Sequence, residues 1–297
     1  MVQTGTNEGA ELLRRVRQLE LVARKNAAGL MRGDYQTQVL GQGLVFHESR
    51  KYVHGESARR IDWNITARVG EPHVRVHLEE RQREVLVVLD VSPSMHVGFG
   101  AKSKLELGVE LAATLAVSAT LGGDRLGHVI FADQVLDQSR PRQGRAQLFR
   151  TLRSFLDHTV PWNRPVPETD PRAAIHAIEK SSRGHFAIFL ISDFIDHDLP
   201  DDLRYLRTRH DVALLHVFDP FEYTDLPHVV FPGFSPEGGG QSRPRPLQAG
   251  TTGDLQEMDH FLRQRCGENG IDYGSFSTAR PVGAALGHFF HRRRRRA

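Results

Sequence analysis

Hydrophobic positions in the central part of the chain fall into two alternating patterns. Short apolar runs occur at EVLVVLD (84–90), HFAIFLISD (185–193) and DVALLHVFD (211–219), the first two of them continuous. Runs of this kind, closed by an aspartate, predict strands buried on both faces, as at the centre of a parallel sheet. RLGHVIFAD (125–133) and DYGSFST (272–278) predict two further strands.

Between them lie stretches of helical period. SKLELGVELAATLAVSATLGGD is a largely apolar helix ended by Gly122-Gly123. RAQLFRTLRSFLDH is a second helix, and TDPRAAIHAIEKSS a third that opens with Asp170 as N-cap and Pro171 at the first helical position. HDLPDDLRYLRTRH starts a fourth with acids at its positive end. A Gly/Pro-rich loop over 231–246 precedes a short strand, a helix over 254–266, the DYGSFST strand and a last helix.

Strands alternating with helices predict a doubly wound α/β domain with a mostly parallel sheet, Rossmann-like, over about 82–290. Ahead of it, residues 8–31 predict a helix, and 34–80 an irregular region with short strands such as VRVHLEE. Together, residues 1–81 form an N-terminal extension expected to pack on the main domain. An Arg-Asp pair among Arg59, Arg60 and Asp62, with Trp63 as anchor, is expected to fix it there.

Composition changes this picture little. At 39% hydrophobic and 25% charged, the 297 residues read as an ordinary globular chain. No apolar stretch approaches the ~20 residues needed to span a bilayer, and the first residues lack the apolar core of a secretory signal. The single cysteine, Cys266, excludes an internal disulfide framework and fits a reducing compartment, so a cytoplasmic location is expected. The sequence pI of about 9.2 points towards nucleic acid. Five of the positive charges, however, are Arg292 to Arg296. With those removed, the formal +3 becomes −2. Residues 291–297 read as a solvated, disordered basic tail.

The chemistry concentrates at strand ends, where open α/β sheets bind ligands. Asp90, Ser92 and Ser94 follow the first central strand, Asp193 closes the second, and Thr169 precedes the helix that feeds it. All are hard oxygen donors, which suits Mg²⁺ or Mn²⁺ and argues against structural zinc. The acids Asp196, Asp198, Asp201 and Asp202 read as caps and first-turn residues. The sixteen histidines show no metal spacing.

Asp90-Val91-Ser92-Pro93-Ser94, with Thr169 and Asp193 downstream, resembles the metal-ion-dependent adhesion site of von Willebrand factor A domains. The segments 41–80, GGDRLGHVIF (122–131), LISDF (190–194) and VFDPFEYTDLP (217–227) resemble domain-of-unknown-function family 58, which carries such a domain and commonly accompanies MoxR-type AAA+ ATPases. The resemblance implies a von Willebrand A-like fold with Mg²⁺ or Mn²⁺ on Asp90, Ser92, Ser94, Thr169 and Asp193. It implies a partner protein supplying an Asp or Glu to that ion, and a MoxR-type ATPase as the associated machine.

The expected function is a non-enzymatic interaction module or adaptor. A metal-dependent hydrolase or phosphotransferase is the alternative, but no G-x-x-x-x-G-K-[ST] loop or G-x-S-x-G elbow is present. Nucleic-acid contact through the Arg run is a third reading.

Overall fold

The computed structural model describes residues 4–31, 46–53, 61–77, 83–159, 169–181, 184–194, 202–223 and 252–294. In chain order the elements are α1 (Thr4–Met31), β1 (Phe46–Lys51), α2 (Trp63–Val69), β2 (His73–His77), β3 (Glu84–Asp90), α3 (Lys104–Leu121), β4 (Arg125–Phe131) and β5 (Val135–Arg142). Then follow α4 (Arg145–Asp157), α5 (Pro171–Ser181), β6 (Phe186–Ser192), α6 (Asp202–Arg209), β7 (Asp211–Phe218), α7 (Thr252–Glu268), β8 (Asp272–Ser277) and α8 (Val282–Arg294).

Six strands form one sheet in the order β5-β4-β3-β6-β7-β8, parallel except for the antiparallel β4–β5 pair. This is the expected doubly wound α/β fold. Because β3, β6 and β7 are covered on both faces, nearly every residue in them is buried. One face carries Val85, Val87, Leu89 and Ile130 against helices α1, α3, α4 and α8. The other carries Leu86, Val88, Val129 and Phe131 against α5, α6 and α7. α3 is apolar around its circumference because it lies between the sheet and α1. Its Gly108 permits that closeness, since a Cβ there would sit 3.2 Å from both Leu89 Cδ1 and Met95 Cε.

The chain order reverses at β3, with β4 on one side and β6 on the other. This switch point opens a crevice at the carboxyl ends of β3 and β6.

Several expectations are corrected. VLDQSRPR, for which no element was expected, forms the edge strand β5, hydrogen-bonded to β4, although it is polar and contains Pro141. An edge strand can be half-exposed and can hold a proline, so it lacks the apolar signature of its central neighbours. Within the 34–80 region, WNITARV is the helix α2. Asp62 caps it, accepting from the backbone N–H groups of Asn64 and Ile65 at 3.0 and 3.3 Å. Trp63 is 69% exposed and anchors nothing, because the first turn of this short helix leaves its ring in solvent. Arg59, Arg60, Asp196, Asp198, Asp201, the loop over 231–246 and the short strand expected after it lie outside the described residues.

The Arg run is not wholly a tail. α8 continues to Arg294, and Arg293 pairs with Asp272 at 2.8 Å and with Asp211.

Candidate metal and partner-binding site

Asp90 is the last residue of β3 and is buried. Its Oδ1 accepts the Ser92 backbone N–H at 2.8 Å, closing a tight turn in which an Asp side chain satisfies a backbone donor two residues on. Pro93 then starts a single 3₁₀ turn, Pro93–His96, which fixes Ser94 beside Ser92. The two hydroxyl oxygens are 3.1 Å apart, and both residues are buried. Sequence therefore dictates the turn, and the turn brings one carboxylate and two hydroxyls to one place.

Across the crevice, β6 ends in Ser192, and Asp193 follows directly after it. The Ser192 hydroxyl donates to Asp90 Oδ2 at 2.6 Å and accepts the Phe194 backbone N–H at 3.2 Å. Phe194 has φ +49°, the one non-glycine in the left-handed region among the described residues. Such a conformation costs a bulky residue of order 1–3 kcal/mol, which burial of its ring offsets here.

Thr169 is buried at the same sheet end. Its neighbour Asp170 donates its N–H to the Ala132 carbonyl at 2.9 Å, tying this segment to the end of β4, whose Phe131 faces Asp90 in register. Asp170 caps α5 as expected, accepting the Arg172 N–H at 3.0 Å.

Ser192 was not foreseen, nor were several further participants. Lys104, at the first position of α3, is fully buried. Its ammonium lies 2.8 Å from Asp193 Oδ2 and 2.6 Å from Glu222 Oε1. Glu222 belongs to a 3₁₀ turn after β7, Pro220–Tyr223. Asp219, just before that turn, accepts the backbone N–H groups of Phe99 (3.0 Å) and Phe221 (2.9 Å). His216, opposite Ser192 in the β6–β7 register, is buried and shares a 3.0 Å hydrogen bond with the Tyr273 hydroxyl, which donates to Asp259 at 2.9 Å. The available sequence signal was Lys104 itself: a lysine at the positive end of a helix is out of place unless anions lie beside it.

The electrostatics follow from burial. Desolvation, with the negative charge of Asp193 second, pushes the Asp90 carboxyl up to about 7. Burial alone would lower Lys104, but Asp193 and Glu222 more than reverse this and hold it charged, above the usual lysine range. Burial raises Glu222 despite the ammonium beside it, and lowers His216 to about 4, so that the imidazole is neutral.

Two carboxylates and two hydroxyls, with Thr169 buried at the same sheet end, form a hard, anionic oxygen donor set, and that chemistry fits Mg²⁺ or Mn²⁺. Among the described residues no three His, Cys, Asp or Glu side chains make a ready metal cage. Any cation would therefore rely on the hydroxyls as well as the carboxylates.

A second polar cluster serves the edge strand. Buried His128 on β4 shares hydrogen bonds with Thr151 (3.0 Å) and Asp137 (3.2 Å), and Ser154 donates to the same Asp137 oxygen. Its serine meets the carboxylate rather than the imidazole, which is not the arrangement of an activated nucleophile.

Among the described residues no helix is long and apolar enough to cross a membrane. The chain is similar to uncharacterized protein Rv1480 of Mycobacterium tuberculosis (strain ATCC 25618 / H37Rv), 32% identical over 226 residues that cover 76% of this chain and 70% of the relative. Among solved structures it is similar to BatB from Bacteroides thetaiotaomicron, at 18% identity, 72% and 99% coverage of the two chains and a TM-score of 0.45. It is also similar to an aerotolerance-related membrane protein from Bacteroides fragilis NCTC 9343, at 19% identity, 71% and 99% coverage and a TM-score of 0.47. The family described as protein of unknown function DUF58 matches residues 48–232, and the chain belongs to that family.

Proposed function

We propose that this chain is a non-enzymatic interaction module that engages an Asp or Glu of a partner protein through a divalent ion, serving as adaptor for a MoxR-type AAA+ ATPase. The observation that carries this reading is buried Asp90, joined to the Ser92–Ser94 hydroxyl pair and facing Asp193 at the switch point of the sheet. Mg²⁺ or Mn²⁺ held by Asp90, Ser92, Ser94, Thr169 and Asp193 would offer a partner carboxylate an open coordination position.

The chain's own residues do the rest. Ser192 holds Asp90 in place, the Pro93–His96 turn presents the hydroxyls, and Lys104 orders Asp193 and Glu222. A binding role is favoured over acid–base chemistry because His216, the imidazole beside Ser192 in the sheet, is buried, neutral and bonded to Tyr273.

The test is surface plasmon resonance between the purified full chain and the MoxR-type ATPase of the same organism, in Mg²⁺, in Mn²⁺ and in EDTA. Binding that needs metal and is lost in Asp90→Ala is expected. Equal binding in EDTA would remove the metal bridge, and no binding in any buffer would remove the ATPase as partner.

A further inference from the structure

The molecule already places a cation among these carboxylates, and it belongs to the chain. Lys104 has no exposed side-chain surface, and its ammonium spans Asp193 Oδ2 and Glu222 Oε1. The approach to this position is built for it. Ser103 and Glu106 form a reciprocal capping box at the start of α3. The Lys104 backbone N–H donates to the Val97 carbonyl at 3.0 Å, so the 97–103 loop closes on itself and delivers the lysine inward. A solvated lysine would need no such loop.

An ammonium and a divalent ion cannot share one buried carboxylate at low cost, because like charges repel strongly where the dielectric is low. Building on the metal reading above, we propose that Lys104 is a tethered counter-cation. It neutralises Asp193 while no divalent ion is present, and must release Asp193 for one to bind. Binding is thereby weakened, and the site resists casual occupation by free cations.

Release also has a direction. Glu222 remains as the ammonium's other partner, and it sits in the turn that Asp219 ties to the 97–103 loop through Phe99. A lysine that moves from two carboxylates to one therefore changes the load on both loops bordering the crevice.

Competition makes the affinity of the full chain for Mn²⁺ and Mg²⁺ the readout, measured by calorimetry in wild type, Lys104→Met and Lys104→Arg. Removing the ammonium tightens binding by about tenfold or more, whereas Lys104→Arg, which keeps the charge, does not tighten it. Metal also raises the melting temperature of Lys104→Met by more than that of wild type, since the ion then supplies the missing counter-charge.

If Lys104→Met binds no more tightly than wild type, the competition is overturned while the metal reading stands. If wild type and both variants ignore millimolar metal, the metal reading fails and takes this inference with it. Should Lys104→Met not fold, the wild type decides. The chain has five lysines, so the buried ammonium can be followed by nitrogen-detected NMR of lysine side chains. A Lys104 signal that shifts on saturation with Mg²⁺ supports release, and one that stays unchanged while metal binds overturns it.

Discussion

Asp90 and Ser192 lie 102 residues apart, yet the Ser192 hydroxyl donates to Asp90 Oδ2 at 2.6 Å in the buried crevice between β3 and β6. This bond ties together the two strands whose chain order defines the switch point. It also occupies one oxygen of a carboxylate whose burial makes its charge expensive.

Two buried groups near this bond respond to pH with opposite signs. Asp90 keeps its proton to about pH 7 in the fold but loses it near 3.8 when unfolded. Its contribution is full below 3.8 and is lost as pH rises to about 7. His216 refuses, down to about pH 4, a proton that the unfolded chain takes near 6.5. Its contribution is full above 6.5 and is lost as pH falls to about 4. Over pH 4 to 6.5 the two slopes oppose each other, each at most about 1.4 kcal/mol per pH unit. In EDTA, Asp90→Asn is expected to make stability climb more steeply with pH than in wild type, and His216→Gln to make it fall. Urea melts across this range check both, and parallel curves for all three proteins would refute the assignment.

Metal binding should carry a proton signature. On the metal reading proposed above, a cation would need the Asp90 carboxylate, whose pKa burial pushes up to about 7. Affinity for Mg²⁺ is therefore expected to rise with pH, by up to about tenfold per unit below 7, with a proton released. Calorimetry in two buffers of different ionisation enthalpy measures that proton directly. Identical heats and a flat affinity would contradict it.

Gly98 is the tightest point of the loop that delivers Lys104. A Cβ there would lie 2.4 Å from Ser103 Cα and 2.8 Å from the Lys102 carbonyl oxygen, both backbone atoms that cannot turn aside. Gly98→Ala is expected to cost about 2 kcal/mol or more in urea denaturation and to disturb the Lys104–Asp193 pair. A variant as stable as wild type would show that the loop is not constrained as described.

Arg293 sits in the last turns of α8 with only 15% of its side chain exposed. It pairs with Asp211 and Asp272, and its guanidinium lies 5.9 Å from the Phe189 ring centre. Arg293→Ala is expected to destabilise the fold by about 1–3 kcal/mol, between the values for exposed and buried pairs. Arg292→Ala, on the exposed side of the same turn, should cost little. Thermal melts of the two variants compare them, and equal effects would place Arg293 among the merely solvated arginines.

The legible parts of the fold are those where burial is complete. β3, β6 and β7 are covered on both sides, so their sequences are largely apolar, interrupted within β7 by the buried His216, and each ends where a polar residue meets the crevice. β5 was not legible, because an edge strand needs only partial burial and VLDQSRPR carries its pairing in the backbone. α2 carries no helical signature because seven residues are too few to show a helical period, and its cap, Asp62, lies beside Arg59 and Arg60 in the sequence, like half of an ion pair. The Asp90-x-Ser92-x-Ser94 turn was visible because its hydrogen bonds are local, spanning two residues.

Local pattern accounts for the alternating strands and helices, the turn after β3 and the oxygen-rich chemistry of the strand ends, since each depends on near neighbours or on total burial. Which charges meet is set by the folded arrangement of the strands. In the sequence Lys104 is an ordinary lysine at a helix start; in the fold it is dehydrated between Asp193 and Glu222, the latter 118 residues further on. The reason is physical. Burying a charge is unfavourable unless an opposite charge waits there, and whether one waits depends on strand order, which no local pattern encodes.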